Sequence, residues 1–507
     1  MDTPDRLGPR RTALILGLSA LALLPNLGGA ARLSYHEAIW AQSAREMVAA
    51  GDWLTPTLDG RPWLEKPPLG TWLIAATGRL LGESELSARL PSAVASSLLV
   101  LAVGMLAARR LGADIGLLAG CIQATTYWAV ARGRLAEADI LLAAMVAWAF
   151  LALDRVRLGE LRWRWAFFAL LGASSLAKGI GFGAALMLGA TGALLLWDRD
   201  RRTMRALLNP LGWSLAALIA LAWPLAVLAR HPEALSLWVG HVADRLAGRP
   251  EHLQLAGERW WEYALSPLLM TLPWTPLAIL GAWTSRRRFP LLWAWATLPA
   301  LMVSLSGVRN AHYLIHALPP CSVWAAIGFR RLLNRRAAHP RRVAATTFAA
   351  LGLLIAAFYT LLAPTLDRRG REWSFYAQVG RLSPADRPLV LLYDDWDRLP
   401  YPTPFGPFPH DLAVRLYYLG RPSAWRSSPE DLRSRPIPPP FDVVARERDR
   451  PTLEAIGAVA ALVRGPSTRW DRSFAVYRVT APTRLASGSS EQHRPRIEFL
   501  RPEDAKH

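Results

Sequence analysis

The chain has 507 residues, 52% of them hydrophobic, with 59 Lys and Arg against 39 Asp and Glu. A soluble protein of this length distributes its apolar residues over two or three domains, whereas here they gather in runs long enough to cross a bilayer, which excludes a purely soluble enzyme. The net charge of +20 does not mark a nucleic-acid binder either, because most arginines in residues 1–342 fall in short clusters between apolar runs instead of forming one basic face.

The first apolar run, 12–32, follows Arg6, Arg10 and Arg11 and is expected to be a retained spanning helix rather than a cleaved signal, since many further runs follow it. Those runs lie near 88–108, 113–131, 139–156, 163–177, 179–197, 206–229, 264–284, 289–306, 311–329 and 343–363. The fold class expected is therefore an α-helical polytopic membrane protein with about eleven or more transmembrane helices. Alternate connections are rich in arginine: Arg109 and Arg110, then Arg155 to Arg164, Arg199 to Arg205, Arg286 to Arg288, and Arg330 to Arg342. By the positive-inside rule these face the cytoplasm, together with the N-terminus. The connections 33–87, 132–138, near 178, 230–263 and 307–310 mix acids, bases and aromatics. They are expected on the opposite side, with the C-terminal part.

After residue 364 the composition turns to Pro and Arg, with strand-like runs at 389–393, 442–446, 459–463 and 474–479 and a helical stretch near 410–419. Residues 1–364 are read as the membrane domain, 365–482 as a small α/β extracytoplasmic domain, and 483–507 as a disordered tail. Asp394, Asp395 and Asp397 follow a strand and are read as turn and cap residues. Cys121 and Cys321 lie in apolar runs, so no disulfide framework or thiolate metal cluster is expected. Of the 23 tryptophans, Trp40, Trp53, Trp63, Trp72, Trp260, Trp261 and Trp274 cluster in or beside the outer connections, as an interfacial aromatic belt does.

The segment 33–87 carries the most chemistry. Ile39, Ala44, Met47 and Val48 recur at helical spacing, which predicts an amphipathic helix over 36–50 along the interface, with Glu37 near the membrane surface. Pro67-Pro68 interrupts the chain, and 69–81 returns as a second half-buried helix. Lys66 and Lys178 are the only lysines before Lys506. Both are expected on the outer side, as is Arg309.

Here the sequence resembles the ArnT-like and protein O-mannosyltransferase-like branch of the GT-C membrane glycosyltransferases. The resemblance rests on Ala44-Arg45-Glu46-Met47, Gly51-Asp52-Trp53, Glu65-Lys66-Pro67-Pro68-Leu69 and Ala88-Arg89-Leu90-Pro91-Ser92. It extends through Leu176-Ala177-Lys178-Gly179, through Trp260-Trp261-Glu262-Tyr263 with Leu272-Pro273-Trp274, and through Ser304-Leu305-Ser306 with Arg309, His312, Tyr313 and Leu314. It implies a bacterial inner-membrane enzyme that transfers a sugar from a polyprenyl-phosphate donor to a lipid, glycan or protein acceptor outside the cytoplasm. Neither a cofactor nor nucleic acid is required.

Lys66, Lys178 and Arg309 are the cations expected to hold the donor phosphate beside an apolar groove. Inverting transfer also needs a group to take the acceptor hydroxyl's proton, and Glu37 and Asp139 are the candidates. The family's acidic pair reads Asp-Glu, whereas this chain has His36-Glu37, which makes His36 an alternative base. Trp40, Glu65 and Tyr313 are expected to contact substrate. A divalent metal on Glu65 and His252 is compatible with the sequence, but two ligands do not define a site, and no metal residues are assigned. The rival reading is a non-catalytic or translocating polyprenyl-lipid-binding protein of the same fold.

Overall fold

The computed structural model describes residues 7–179, 181–247, 259–286, 288–305, 309–367, 370–384, 386–392, 412–421, 423–426, 428–465 and 474–480. His252, Asp394, Asp395, Asp397 and the tail 483–507 lie outside the described residues. Two compact units divide the chain between Leu366 and Asp367.

In the first unit the apolar runs fold into helices. Glu85–Leu111 begins on a capping box, in which the Ser84 side chain accepts from the backbone of Ser87 and the Ser87 hydroxyl accepts from the backbone of Ser84. Beside it run Ala113–Thr125 and Ala138–Arg157. The last of these is buried nearly all round, with Leu142, Val146, Phe150 and Leu153 inaccessible, and Phe150 stacks on Trp295 with centroids 4.8 Å apart. Small residues let neighbours approach closely, as between Thr275–Thr284 and Pro319–Arg336. A Cβ on Gly281 would stand 1.8 Å from the Trp324 carbonyl oxygen, and one on Gly328 would stand 2.2 Å from that of Leu277. No residue larger than glycine fits either position at this separation.

Glu85–Leu111, Pro210–Arg230 and Pro340–Leu366 are long and apolar enough to cross a membrane by length and composition, with a fourth if a bent pair counts as one span. The architecture is polytopic and helical, but several expected spans are not straight. The run 264–284 is two helices, Trp260–Met270 and Thr275–Thr284, meeting at 90°. Pro273 removes a backbone donor at that corner. The run 113–131 breaks at Thr126, whose backbone is extended (φ −71°, ψ 129°). The two breaks meet: the Tyr127 amide donates to the Leu272 carbonyl at 2.9 Å, and the Trp274 indole donates to Thr125 Oγ1 at 3.1 Å. One backbone group released at Thr126 is thus taken up at the other interruption, and a side-chain bond fastens the two together. The run 311–329 likewise starts as a 3-10 turn, Ala311–Ala317, because Pro319 and Pro320 allow the α-helix to begin only at Pro319.

The segment 33–87 folds as helix Tyr35–Ala50, a hairpin of β1 (Thr57–Leu58) and β2 (Arg61–Pro62), and helix Leu69–Leu81. Asp59 and Gly60 link the strands with φ of 53° and 71°. That is the Asp-Gly signature of a two-residue hairpin turn.

The second unit holds a five-stranded sheet in the order β4 (Ala424–Arg426), β3 (Leu389–Leu392), β5 (Phe441–Arg446), β7 (Phe474–Thr480), β6 (Ala458–Arg464). β3 pairs in parallel with β4 and β5, while β7 pairs antiparallel with β5 and β6. Alternation along β5 sends Phe441, Val443 and Ala445 into an apolar core. Asp442, fully buried, accepts from both Arg478 Nε at 2.8 Å and Nη2 at 3.2 Å.

Candidate active site

Helix Tyr35–Ala50 starts with a capping box in which Ser34 and Glu37 hold each other's backbone amides. The Glu37 carboxylate does more than cap. One oxygen accepts from Arg89 Nε at 2.7 Å and from the Ala136 amide at 3.2 Å. The other accepts from the Ser34 amide at 2.9 Å, Ser34 Oγ at 3.0 Å and Arg89 Nη2 at 3.3 Å. Arg89 also donates to the carbonyls of Leu27 and Ala31. Four stretches of chain therefore converge on one buried ion pair. Burial alone would raise the Glu37 pKa, but the Arg89 guanidinium and the converging N–H groups hold it below the ordinary carboxylate range. The expectation of a surface-lying helix with Glu37 at the membrane edge is corrected on this point. Glu37 is 1% exposed, and Ala38 to Ala44 are buried on every side of the helix.

The connection leading into Ala138–Arg157 is pinned in the same manner. Arg134 donates to the carbonyls of Leu23 and Pro25 and lies 3.7 Å over the Tyr359 ring, while Arg132 pairs with Glu137. Burial and the neighbouring carboxylates of Asp139 and Glu37 raise the Glu137 pKa, with Arg132 opposing them. Glu137 is the N-cap residue, so Asp139 falls in the first helical turn, where the helix dipole favours its negative charge.

Asp139 is the focus of the site. Its carboxylate accepts a hydrogen bond from Lys178 Nζ, and Lys178 ends helix Trp163–Ala177. Lys178 Nζ also sits 4.4 Å from the Tyr313 ring centroid, a cation–π contact. Arg132, His312 and His316 also act electrostatically on Asp139, as does Glu137. His36, whose ring lies 3.9 Å from that of Tyr35, is within electrostatic reach of His312. Next to Tyr313 is an apolar wall in which Leu186, Tyr263, Met270, Val303 and Leu314 are buried. A carboxylate, an ammonium and a greasy surface thus share one place, brought together from chain positions 39 residues apart or more.

Other expected site residues are placed differently. Lys66 pairs with its neighbour Glu65 at 2.6 Å. Arg309 makes no hydrogen bond or ion pair among the described residues, which leaves its guanidinium available to an anion. Trp40 is 7% exposed, packs edge-on against Trp63 at 5.2 Å, and lies where a Cβ on Gly70 would come within 2.8 Å of its ring. Its faces are spent on packing the two helices of the first connection, so it offers no open platform for a sugar. Of the tryptophans expected in a belt, Trp260 and Trp261 are 72% and 45% exposed, whereas Trp274 is 4% exposed. Others use their indole N–H to fasten the first connection: Trp72 donates to the Trp53 carbonyl, Trp223 to that of Leu54, and Trp238 to that of Leu64. Among the described residues no group of three or more His, Cys, Asp or Glu is arranged to hold a metal ion.

Sequence reasoning missed His316, Arg132, and the pairing of Glu37 with Arg89. His312 and His316 stand four residues apart, a spacing that would suggest a shared face on an α-helix but not on the 3-10 turn that carries them. His316 is fully buried, and neither ring nitrogen has a hydrogen-bond partner among the described residues.

The profile of the dolichyl-phosphate-mannose-protein mannosyltransferase family matches residues 65–229. The undecaprenyl phosphate-alpha-4-amino-4-deoxy-L-arabinose arabinosyl transferase 2 of Pseudomonas fluorescens is 28% identical over 331 residues, covering 61% of this chain and 58% of that protein. The corresponding transferase of Pseudomonas aeruginosa strain UCBPP-PA14 is 31% identical over 57% of this chain and 54% of that protein. The chain thus spans less than two thirds of these relatives' length. Among solved structures, ArnT from Cupriavidus metallidurans bound to undecaprenyl phosphate superposes with a TM-score of 0.73 at 19% identity, over 92% of this chain and 97% of that one. The apo oligosaccharyltransferase of Archaeoglobus fulgidus gives 0.53 at 11% identity, over 94% and 75%. The likeness to ArnT-like GT-C glycosyltransferases is therefore one of sequence and of fold.

Proposed function

We propose that the chain is a membrane glycosyltransferase that moves a sugar from a polyprenyl-phosphate carrier to a lipid, glycan or protein acceptor, with inversion at the anomeric carbon. The reaction takes place on the outer face of a bacterial inner membrane, with the N-terminus cytoplasmic and the C-terminal unit periplasmic. The observation that carries the reading is the contact of Asp139 with Lys178, beside Tyr313 and an apolar wall. A carrier-linked sugar needs a cation for the phosphate leaving group, a base for the incoming hydroxyl, and an apolar surface for the isoprenoid chain.

In this reading the donor phosphate takes over the Lys178 ammonium and is also held by Lys66 and Arg309. Asp139, released from its ion pair, accepts the acceptor hydroxyl's proton as that oxygen bonds to the anomeric carbon. The bond from that carbon to the phosphate oxygen breaks, and the polyprenyl phosphate leaves with its charge balanced by the same cations. His36 is the second group able to take the proton. Tyr313 and Glu65 contact the substrate, and Glu37 acts at one remove, holding the 134–137 connection and so the approach to Asp139.

The test is transfer from a synthetic polyprenyl-phosphate sugar to an acceptor extract, followed with labelled sugar. Product from the wild type, lost in Asp139→Asn and Lys178→Ala, supports the enzyme. Movement of the carrier lipid across liposomes without any labelled product would overturn it in favour of a translocator.

A further inference from the structure

From residue 263 to residue 366 the sequence contains no Asp or Glu, yet it carries Arg330, Arg331, Arg335, Arg336, Arg341 and Arg342 around one helical hairpin. The hairpin joins Pro319–Arg336 to Pro340–Ala357. Arg330 reaches Asp114 at 3.3 Å. Among the described residues, Arg331, Arg335, Arg336, Arg341 and Arg342 make no side-chain hydrogen bond, ion pair or ring contact. The connections at 109–110 and 155–160 differ: Arg109 and Arg155 pair with Glu160, Arg110 with Asp154, and Arg157 with Asp198, whereas Arg199, Arg201, Arg202 and Arg205 likewise make no ion pair among the described residues. Topology signals alone do not require this difference, since paired and unpaired arginines orient a span equally.

A groove of about 600 Å³ lies between the two helices, with Phe329, Leu332, Leu333 and Val343 along it and Arg336, His339 and Arg342 at its polar end. Leu332 and Val343 are 42% and 41% exposed, so the groove is open along its apolar length. A hydrocarbon trough ending in two unpaired guanidiniums complements a molecule with an acyl chain and an anionic head.

We propose that this groove binds an anionic phospholipid, its phosphate between Arg336 and Arg342 and one acyl chain along Phe329, Leu332 and Val343. The site is separate from the Asp139 group and does not depend on the reaction assigned there. Basic pockets between membrane helices hold such head groups, each arginine near the surface strengthening binding by about fivefold. His339, at the same end, adds a third donor.

The experiment uses the purified full-length protein in detergent with equimolar phosphatidylglycerol and phosphatidylcholine, the retained lipid being counted by mass spectrometry. Phosphatidylglycerol is expected to be enriched on the wild type. The enrichment falls by about 30-fold in Arg336→Gln/Arg342→Gln, at about fivefold per arginine, and survives in Arg336→Lys/Arg342→Lys. Should the glutamine variant fail to fold, salt decides on the wild type: raising it from about 50 mM to about 500 mM must weaken phosphatidylglycerol retention and leave phosphatidylcholine unchanged. Equal retention of both lipids, an enrichment indifferent to salt or to loss of both arginines, or displacement by millimolar inorganic phosphate would each overturn the proposal. Preferential retention of polyprenyl phosphate over phosphatidylglycerol would also overturn it, by giving the groove to the carrier.

Discussion

Two charged regions of the first unit use the same chemistry in opposite ways. Around residues 32–37, 89 and 132–139, carboxylates sit against cations: Glu37 on Arg89, Glu137 on Arg132, and Asp139 on Lys178. In the hairpin 330–342, five arginines have no side-chain partner among the described residues. Buried charges must be paired or they cost several kcal/mol each, whereas charges at a surface are satisfied by water or by whatever binds there. Paired charges therefore report on architecture and on what a substrate must open. Unpaired ones report on a partner outside the chain.

The comparison breaks first at Asp139. If the Asp139–Lys178 pair is the working part of the site, Asp139→Asn removes the base and lowers the rate of sugar transfer by about 10²- to 10⁴-fold, with the fold retained. A variant that loses transfer together with its cooperative thermal transition would instead class this pair with the structural ones.

Glu37 is the contrasting case. Glu37→Gln leaves the Arg89 guanidinium, 4% exposed, facing a neutral amide. Removing one partner of a buried pair costs about 3–5 kcal/mol, so the thermal midpoint in detergent should fall sharply. Replacing both residues by Met should recover much of that loss. A Gln variant as stable as the wild type, but inactive, would move Glu37 from the scaffold to the chemistry.

How far the sequence alone reaches can be judged from the same residues. Helix starts carry local signals: Ser34 and Glu37 are three residues apart and form a capping box, one residue ahead of the start expected at 36. Asp139 and Lys178 stood out as candidates because acids and lysines are rare in apolar runs, and Tyr313 through the family resemblance alone. Their meeting was not legible, since it depends on how three helices pack. Nor could periodicity reveal that Glu37 faces Arg89, 52 residues away, and is locked rather than available. The helix breaks at Thr126 and at 271–274 were missed for a related reason. The two breaks meet through one backbone bond, Tyr127 to Leu272, and one side-chain bond, Trp274 to Thr125, contacts that neither segment shows when read alone.

A smaller effect lies at the hairpin turn of the first connection, where a carboxylate faces a like charge. Burial raises the Asp59 pKa from 3.8 to about 6, Glu46 adds to the rise, and Arg61 opposes it. Because the native state holds this proton more tightly than the unfolded chain, its contribution is complete below the ordinary Asp value and is lost as pH climbs towards 6. Asp59→Asn keeps the turn and has no proton to lose. It should be more stable than the wild type above pH 6 by up to about 3 kcal/mol and equal to it in strong acid. A stability difference that does not change across that window would show that Asp59 is already ionised.

The smallest expected effect separates the two regions most cleanly. Arg336 and Arg342 pair with no acid among the described residues, so removing both guanidiniums breaks no ion pair there. Arg336→Gln/Arg342→Gln should shift stability by no more than about 0.5 kcal/mol in a zwitterionic detergent. In anionic lipid the result should change. A ligand that binds only the folded state stabilises it in proportion to the logarithm of its concentration over its dissociation constant, and the variant forgoes that gain. The wild type should therefore gain thermal stability on addition of phosphatidylglycerol while the variant stays flat. A loss in plain detergent as large as that of Glu37→Gln would mean that the hairpin arginines hold the fold together and that the distinction between paired and unpaired regions is false.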